Sequence, residues 1–363
     1  MPTGANPAWP TIPAMHLLIP FAACLPHDCQ HVWASLNLPN VTRLLATLTP
    51  LPAVEPTGLG TETSLSPPHE RALAEAMGLG SGSFGPKMPG ADGLLPWGAL
   101  NAQAQGLMQG PAASSPLAWA VITPVNWSVQ TAHITMTNPA DLALDEADSK
   151  ILLSAMQPYF AEDGITLYFD APGRWLASGE VFRNLPTAAI DRVIDRNVHD
   201  WQPKSEQAKL LRRLQSEMQM LLYTHPVNDQ RIARGLDPVN SFWVSGTGDL
   251  PTGFAGLAGS VGGSDLIVAN LLRGPALRED WVAWGQAWQA IDASHGADLL
   301  AAIALARATP VLPGAEPACR LTLCGDRNAI TFANSPQNTW QRLRQRFSGQ
   351  LGQSLIKNIH NQL

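Results

Sequence analysis

An unbroken apolar run, Met15-His-Leu-Leu-Ile-Pro-Phe-Ala22, reads as a short buried strand of the kind that opens a parallel sheet. Leu38-Pro-Asn-Val-Thr-Arg-Leu-Leu-Ala46 follows at helical spacing, with Asn40 placed to cap the helix. Ser66-Pro67, then apolar positions at helical spacing and a stop at Gly78, predict another helix with Ser66 as its N-cap. The Gly- and Ser-rich stretch 78–90 and the low-complexity stretch 101–116 read as connectors, the second placing a domain boundary near residue 115. Beyond it, alternation over Leu117–Gln130 predicts a strand, Leu144–Tyr159 an amphipathic helix, Gly164–Phe169 a strand and Lys204–Tyr223 a long helix. Phe242-Trp-Val-Ser reads as the return to the first core, followed by Asp265–Leu272, a Trp-rich helix over 280–293, a helix over 298–307 and a strand at Arg320–Cys324. Trp340, Leu343, Phe347 and Leu351 give the last stretch the apolar face of a basic amphipathic helix.

Strand–helix alternation of this kind predicts an α/β protein in two parts. A parallel-sheet core formed by 15–115 and 240–335 is interrupted by an α+β domain over 116–239, with a leader at 1–14 and a C-terminal helix at 336–363. The length of 363 residues accommodates both parts. Hydrophobic content of 45% against 14% charge describes a well-buried chain, and 31 Pro with 30 Gly imply many turns. A net charge of −6 with no dense Lys/Arg run argues against nucleic acid as partner. Leu17–Cys24 is too short to cross a bilayer and has no basic flank, so the expectation is a cytoplasmic protein without a membrane partner. In that compartment the four cysteines, spaced as Cys24/Cys29 and Cys319/Cys324, are expected as thiols or metal ligands and not as disulfides.

Candidate chemistry concentrates between Leu222 and Asp249. His225, Asn228, Arg231 and Arg234 gather around a His-Pro break, Asp237-Pro-Val-Asn240 turns the chain, and Phe242-Trp-Val runs into Gly246-Thr-Gly248. With Arg174 these side chains can clamp a phosphate or carboxylate through forked guanidinium bonds. They can equally cap a helix and tie one domain to the other.

At these residues the chain resembles the archaeal-type, bisphosphoglycerate-independent phosphoglycerate mutases of the alkaline phosphatase superfamily, which carry a similar "HPVN, Arg, Arg-Gly, Pro-x-Asn, aromatic, Gly-x-Gly" segment. The likeness runs back through Asp145-Glu-Ala, Gly164-Ile-Thr-Leu-Tyr and Gly173-Arg174-Trp175, where the family has an Arg-His pair. Leu38-Pro-Asn-Val-Thr-Arg-Leu also matches the superfamily's first helix start. The resemblance implies an alkaline-phosphatase-like parallel-sheet core with an inserted α+β domain. It also implies two divalent cations, Mn2+ or Mg2+, held by Asp and His at strand ends, that activate a serine or threonine.

Those ligands are missing where the family keeps them. The first strand runs into Ala22-Ala-Cys24 with no carboxylate before Asp28; the late strand reads Cys324-Gly-Asp326-Arg327, without the histidine; and Asp292-Ala-Ser-His295 has the wrong spacing for the segment between. Three departures together imply a divergent relative, similar to proteobacterial proteins labelled regulatory, that holds a phosphorylated or carboxylate metabolite without catalysis and without a cofactor. The alternative reading is an active mutase or phosphotransferase converting 3-phosphoglycerate to 2-phosphoglycerate, its site rearranged around Asp28, Ser64, Asp265, Asp326 and His69. Ser64 and Ser66 fall near the family's nucleophile, and His69 near a residue that steadies its segment. A zinc site of Cys24, His27, Cys29, His31, Cys324 and Asp326 is a further alternative, against buried cysteines that simply pack. The Trp281, Trp284, Trp288 stripe offers a protein-docking surface, or simply core.

Overall fold

The structure is a computed structural model that describes residues 14–23, 27–52, 62–79, 92–108, 117–129, 133–251, 254, 264–308, 317–334 and 363. In chain order, β1 (Ala14–Ile19), α1 (His27–Ser35), α2 (Pro39–Thr47) and β2 (Thr49–Pro50) come first. They are followed by α3 (Pro68–Ala76), α4 (Trp97–Ala104), β3 (Trp119–Val125), β4 (Trp127–Val129) and β5 (Ile134–Met136). The middle of the chain forms α5 (Glu146–Glu162), β6 (Thr166–Ala171), β7 (Arg174–Ser178), α6 (Val198–Trp201), α7 (Ala208–Tyr223), α8 (Pro226–Ala233) and β8 (Ser241–Gly248). Last are β9 (Ser264–Val268), α9 (Arg273–Leu277), α10 (Trp281–Ile291), α11 (Ala297–Ala308), β10 (Cys319–Cys324) and β11 (Ala329–Ala333). The architecture is the expected mixed α/β one. The leader and the C-terminal helix anticipated at 336–363 lie outside the described residues, except for Ala14 and Leu363.

The chain divides into two compact units, one of residues 1–62, 75–78 and 259–363, the other of 63–74 and 79–258. These limits differ from the boundaries at 115 and 240 expected above, and the pairing of β8 explains the later one. Phe242-Trp-Val-Ser does not return to the first core. It pairs antiparallel with β3, Val244 opposite Ile122 and Phe242 opposite Pro124. An apolar run of that length is equally at home in either sheet, so periodicity alone could not choose.

The first unit is built on a five-stranded sheet in the order β2-β11-β10-β1-β9, in which β10, β1 and the edge strand β9 run parallel. Alternation sends Met15, Leu17 and Ile19 into a core with Val41, Leu44, Leu299 and Ile303 from α2 and α11. His16 and Leu18 point to the opposite face and are buried as well, as parallel sheets require. The Trp-rich helix α10 faces this core. Trp284 and Trp288 are fully buried against Trp33 of α1, with ring centroids 5.8 and 5.5 Å away, so the two deepest rings of the stripe are packing residues and unavailable for docking.

Between α10 and α11 the helix widens into a π-turn, Asp292–Gly296. This turn aims the buried Asp292 at the start of α2, where its carboxylate accepts from Val41 N at 2.7 Å and Asn40 N at 3.3 Å. Asn40 therefore does not cap α2; its amide donates to the Asp292 carbonyl at 2.9 Å, and the capping group comes from 252 positions away. No local sequence rule reaches that far. Asp292→Ala is expected to lower the stability of the first unit by about 1–2 kcal/mol, the usual cost of a lost cap, measured by urea denaturation; an unchanged midpoint would refute the capping role.

The second unit carries the antiparallel sheet β6-β7-β3-β8 and the ribbon β4-β5, so Leu117–Gln130 forms two strands where one was expected. Leu152, Met156 and Phe160 of α5 and Leu211, Leu214 and Met218 of α7 cover one face, the Phe160 ring tilted at 60° to that of Phe242 with centroids 5.1 Å apart. On the other face, Ala99 and Ala102 of α4 pack on Trp119, Val121 and Leu176. Gly246 sits there at φ +61, where an added Cβ would lie 2.8 Å from the Trp97 Cβ. That glycine is required by helix–strand approach as well as by its left-handed backbone.

Candidate functional site

The segment Ser64-Leu-Ser66, just before α3, is knitted into the second unit from two sides. The Asp92 carboxylate accepts from Leu65 N and Ser66 N, both at 2.8 Å. Gly93 N donates to the Ser66 hydroxyl at 2.9 Å, Ala189 N to the Leu65 carbonyl at 2.9 Å, and Thr187 N to the Gly93 carbonyl at 2.9 Å. Ser66 therefore spends its hydroxyl on Gly93 and not on the first turn of α3, which begins at Pro68. Such fixation makes the neighbouring Ser64 a defined point.

Around that point stand two guanidinium groups. Arg192 Nη2 donates to Ser64 Oγ at 2.8 Å and Arg71 Nη1 at 3.1 Å, while the Ser64 hydroxyl donates to the Ser66 carbonyl at 3.1 Å. Arg71 also donates to that carbonyl. Ser64 and Arg192 are 3% and 4% exposed, so both charge-assisted bonds are sheltered from water. Beside them His69 Nε2 lies 3.3 Å from Asp191 Oδ2. Glu70, one residue on, accepts from the Trp97 indole N–H at 3.0 Å. Burial pushes the Glu70 carboxyl above the usual glutamate range, opposed by the charge of His69 and reinforced by Asp191.

Of the residues singled out from the sequence, Ser64, Ser66 and His69 come together here. Asp92, Asp191, Arg71 and Arg192 were missed. A signal for two of them existed in the doublet Ile190-Asp-Arg192, Ile194-Asp-Arg196, which repeats an acid–base pair inside an otherwise apolar stretch.

The candidate anion clamp is also largely assembled in this unit, around α8, with its polar atoms directed inward. His225 caps α8, its Nδ1 accepting from Val227 N at 3.3 Å. Asn228 bridges the Leu222 and Val239 carbonyls at 2.8 and 2.7 Å and accepts from Val239 N at 2.9 Å. Asn240 both accepts from Trp127 N and donates to its carbonyl, at 2.7 and 2.9 Å. Arg231 is wholly buried; it donates to the Asp237 carbonyl at 3.0 Å and to the Leu142 carbonyl, and sits 3.6 Å from Asp148. Arg234 donates to the same Asp148 at 2.6 Å from a half-exposed position. Arg174 stands apart, paired with Asp170. These contacts cap α8 and fasten it to α5 and to the β3–β4 junction, all inside the second unit. Gly246-Thr-Gly248 belongs to β8, Thr247 donating to the Leu185 carbonyl, and Gly259–Gly263 lies outside the described residues.

The cysteine expectation needs correction. Cys29, buried in α1, is disulfide-bonded, so its sulfur is not available as a zinc thiolate. Cys319 and Cys324 are buried thiols at the two ends of β10, and burial pushes the Cys319 thiol up. Cys24 and the side chains of His27 and Asp28 lie outside the described part. Asp265 and Asp326 belong to the first unit and Ser64 and His69 to the second. Among the described residues no three His, Cys, Asp or Glu side chains converge as a metal site. No described helix is long and apolar enough to cross a membrane.

No family model matches the chain. An alignment of 124 positions is 27% identical to the 2,3-bisphosphoglycerate-independent phosphoglycerate mutase of Methanothrix thermoacetophila, covering 30% of this chain and 31% of that protein. Over those positions the chain is similar to a phosphoglycerate mutase, at a distance. The match thus spans about a third of the relative's length. Among solved structures, the PH0037 protein from Pyrococcus horikoshii is 13% identical with a TM-score of 0.45 over 97% of each chain. The cofactor-independent phosphoglycerate mutase from Thermoplasma acidophilum is 12% identical with a TM-score of 0.33, over 88% of this chain and 89% of that one.

Proposed function

We propose that this phosphoglycerate-mutase-like protein is a regulatory binder of a phosphorylated or carboxylate metabolite and does not turn it over. The observation that carries the reading is the state of the Ser64 hydroxyl. A serine attacks phosphorus when a base or a metal takes its proton. Here the proton is directed at the Ser66 carbonyl, which is no base, and the imidazole of His69 is turned to Asp191. Two guanidinium groups converging on one oxygen are the arrangement that holds an oxygen of phosphate or carboxylate, and Ser64 Oγ marks where they meet. The same convergence would also steady a phosphoserine, which is the reading of an active mutase or phosphotransferase.

Calorimetric titration with 3-phosphoglycerate, alongside a turnover assay with added Mn2+ or Mg2+, separates the two. Binding without conversion to 2-phosphoglycerate is the expected result, and Arg71→Ala is expected to weaken it by about 10–100-fold, the range for one hydrogen bond to a charged group. Metal-dependent turnover would overturn the non-catalytic reading. Affinity unchanged by Arg71→Ala would overturn the site.

A further inference from the structure

The first turn of α3, His69-Glu70-Arg71, sets a carboxyl group beside the Ser64 cluster. Arg71 reaches Ser64 Oγ at 3.1 Å and His69 pairs with Asp191, while Glu70 between them accepts from the Trp97 indole N–H of α4 at 3.0 Å. The charged groups that act on Glu70 are His69 from its own helix and Asp191 with Arg192 from the short turn Ile190–Arg192. Enclosure disfavours its charge most; His69 opposes that, Asp191 reinforces it, and the Trp97 N–H and then Arg192 favour the charged form.

Arg192 joins this carboxyl to the anion site. Its guanidinium donates to Ser64 Oγ at 2.8 Å and at the same time helps to keep Glu70 charged. An anion seated on Arg71 and Arg192 screens that help and brings a further negative charge into the same enclosure. Each change favours the neutral carboxyl. Coupling between two ligands of one protein is reciprocal, so a proton on Glu70 strengthens the hold on the anion by the same factor by which the anion strengthens the hold on the proton.

We propose that the site fills with an anion and a proton together, the proton going to Glu70. Resting on Arg71 and Arg192 as the anion's partners, the coupling adds a dependence on acidity. Binding tightens as pH falls, until Glu70 is protonated with or without the anion. Position 70 thus regulates affinity from beside the ligand.

Calorimetric titration of the full-length protein with 3-phosphoglycerate from about pH 5 to about pH 8, in buffers of low and high ionisation enthalpy, yields affinity and proton uptake together. Glu70→Gln keeps an oxygen for the Trp97 N–H and mimics the neutral carboxyl, and it leaves the ligand phosphate and His69 to titrate as before. It is expected to bind about 5–10-fold tighter than wild type at the upper end of that range, to match it at the lower end, and to take up fewer protons per anion. Trp97→Phe, which keeps the carboxyl and removes an N–H that favours its charge, should carry the tightening to higher pH. Equal proton uptake in wild type and Glu70→Gln, a Glu70→Gln affinity no tighter at about pH 8, or an unmoved Trp97→Phe profile would overturn the coupling and leave the anion site standing. Wild-type protein that binds no 3-phosphoglycerate at any pH would overturn both.

Discussion

Replacing Arg231 with alanine is expected to cost the second unit about 3–5 kcal/mol, because two buried main-chain carbonyls lose their donor at about 1–3 kcal/mol each. The guanidinium is wholly buried and carries two main-chain carbonyls, those of Asp237 and Leu142, besides its ion pair with Asp148. Its removal strips both carbonyls and leaves Asp148 to Arg234 alone. Lysine should not rescue it, because one ammonium cannot reproduce the fork that reaches two carbonyls in different directions beside the Asp148 charge. Arg234→Ala provides the contrast. That side chain is 46% exposed, so its bond to the same Asp148 is screened and worth below about 1 kcal/mol. Exchange of β8 amides under increasing urea reads the local stability directly. Comparable losses in the two variants would show that burial does not set the difference.

The second large effect is a loss of stability on acidification. His16 lies on β1 opposite Arg320 of β10 and shares a hydrogen bond of 2.8 Å with Thr322, which in turn meets Thr331 at 2.9 Å. Burial, and then the Arg320 charge, push its pKa down to about 4 from 6.5. Between those values the unfolded chain binds a proton that the folded one refuses, so stability falls as pH drops from about 6.5 to about 4 and levels off below. The distance between those two values corresponds to about 3 kcal/mol. Glu70, whose carboxyl is raised by burial, acts in the opposite sense, stabilising at low pH and losing that contribution as pH rises through its folded value. The difference between wild-type and His16→Gln denaturation curves isolates the histidine. A difference that stays flat from pH 7 to pH 4 would exclude it.

Both predictions rest on groups whose environment the sequence did not reveal. The strand at Met15, the helices at Leu144–Tyr159 and Lys204–Tyr223 and the mixed α/β class were legible because each has an unambiguous period or a clear start. α7 begins at Ala208, four residues later than expected, and keeps its end at Tyr223. Arg231 and Asn228 are a different case. Their residue types suit an exposed anion clamp and a buried tether equally well, and only three-dimensional enclosure distinguishes the two. β8 was assigned to the wrong sheet for a related reason: an apolar run specifies burial, not a partner. Arg192 and Asp92 escaped notice because they meet the Ser64–Ser66 segment across separations of 128 and of 26 to 27 residues, and no spacing rule encodes such meetings.

The π-turn at Asp292–Gly296 bears on which lengths this chain can tolerate. A helix advances by about 100° per residue, so one residue more or less between α10 and α11 rotates everything downstream by that angle. Leu299 and Ile303 would swing off the core, and Asp292 could no longer reach α2 while Trp288 held its place. The widened turn therefore acts as a phase-setter, and single-residue insertions or deletions that a surface loop absorbs without effect are closed to the chain at this point.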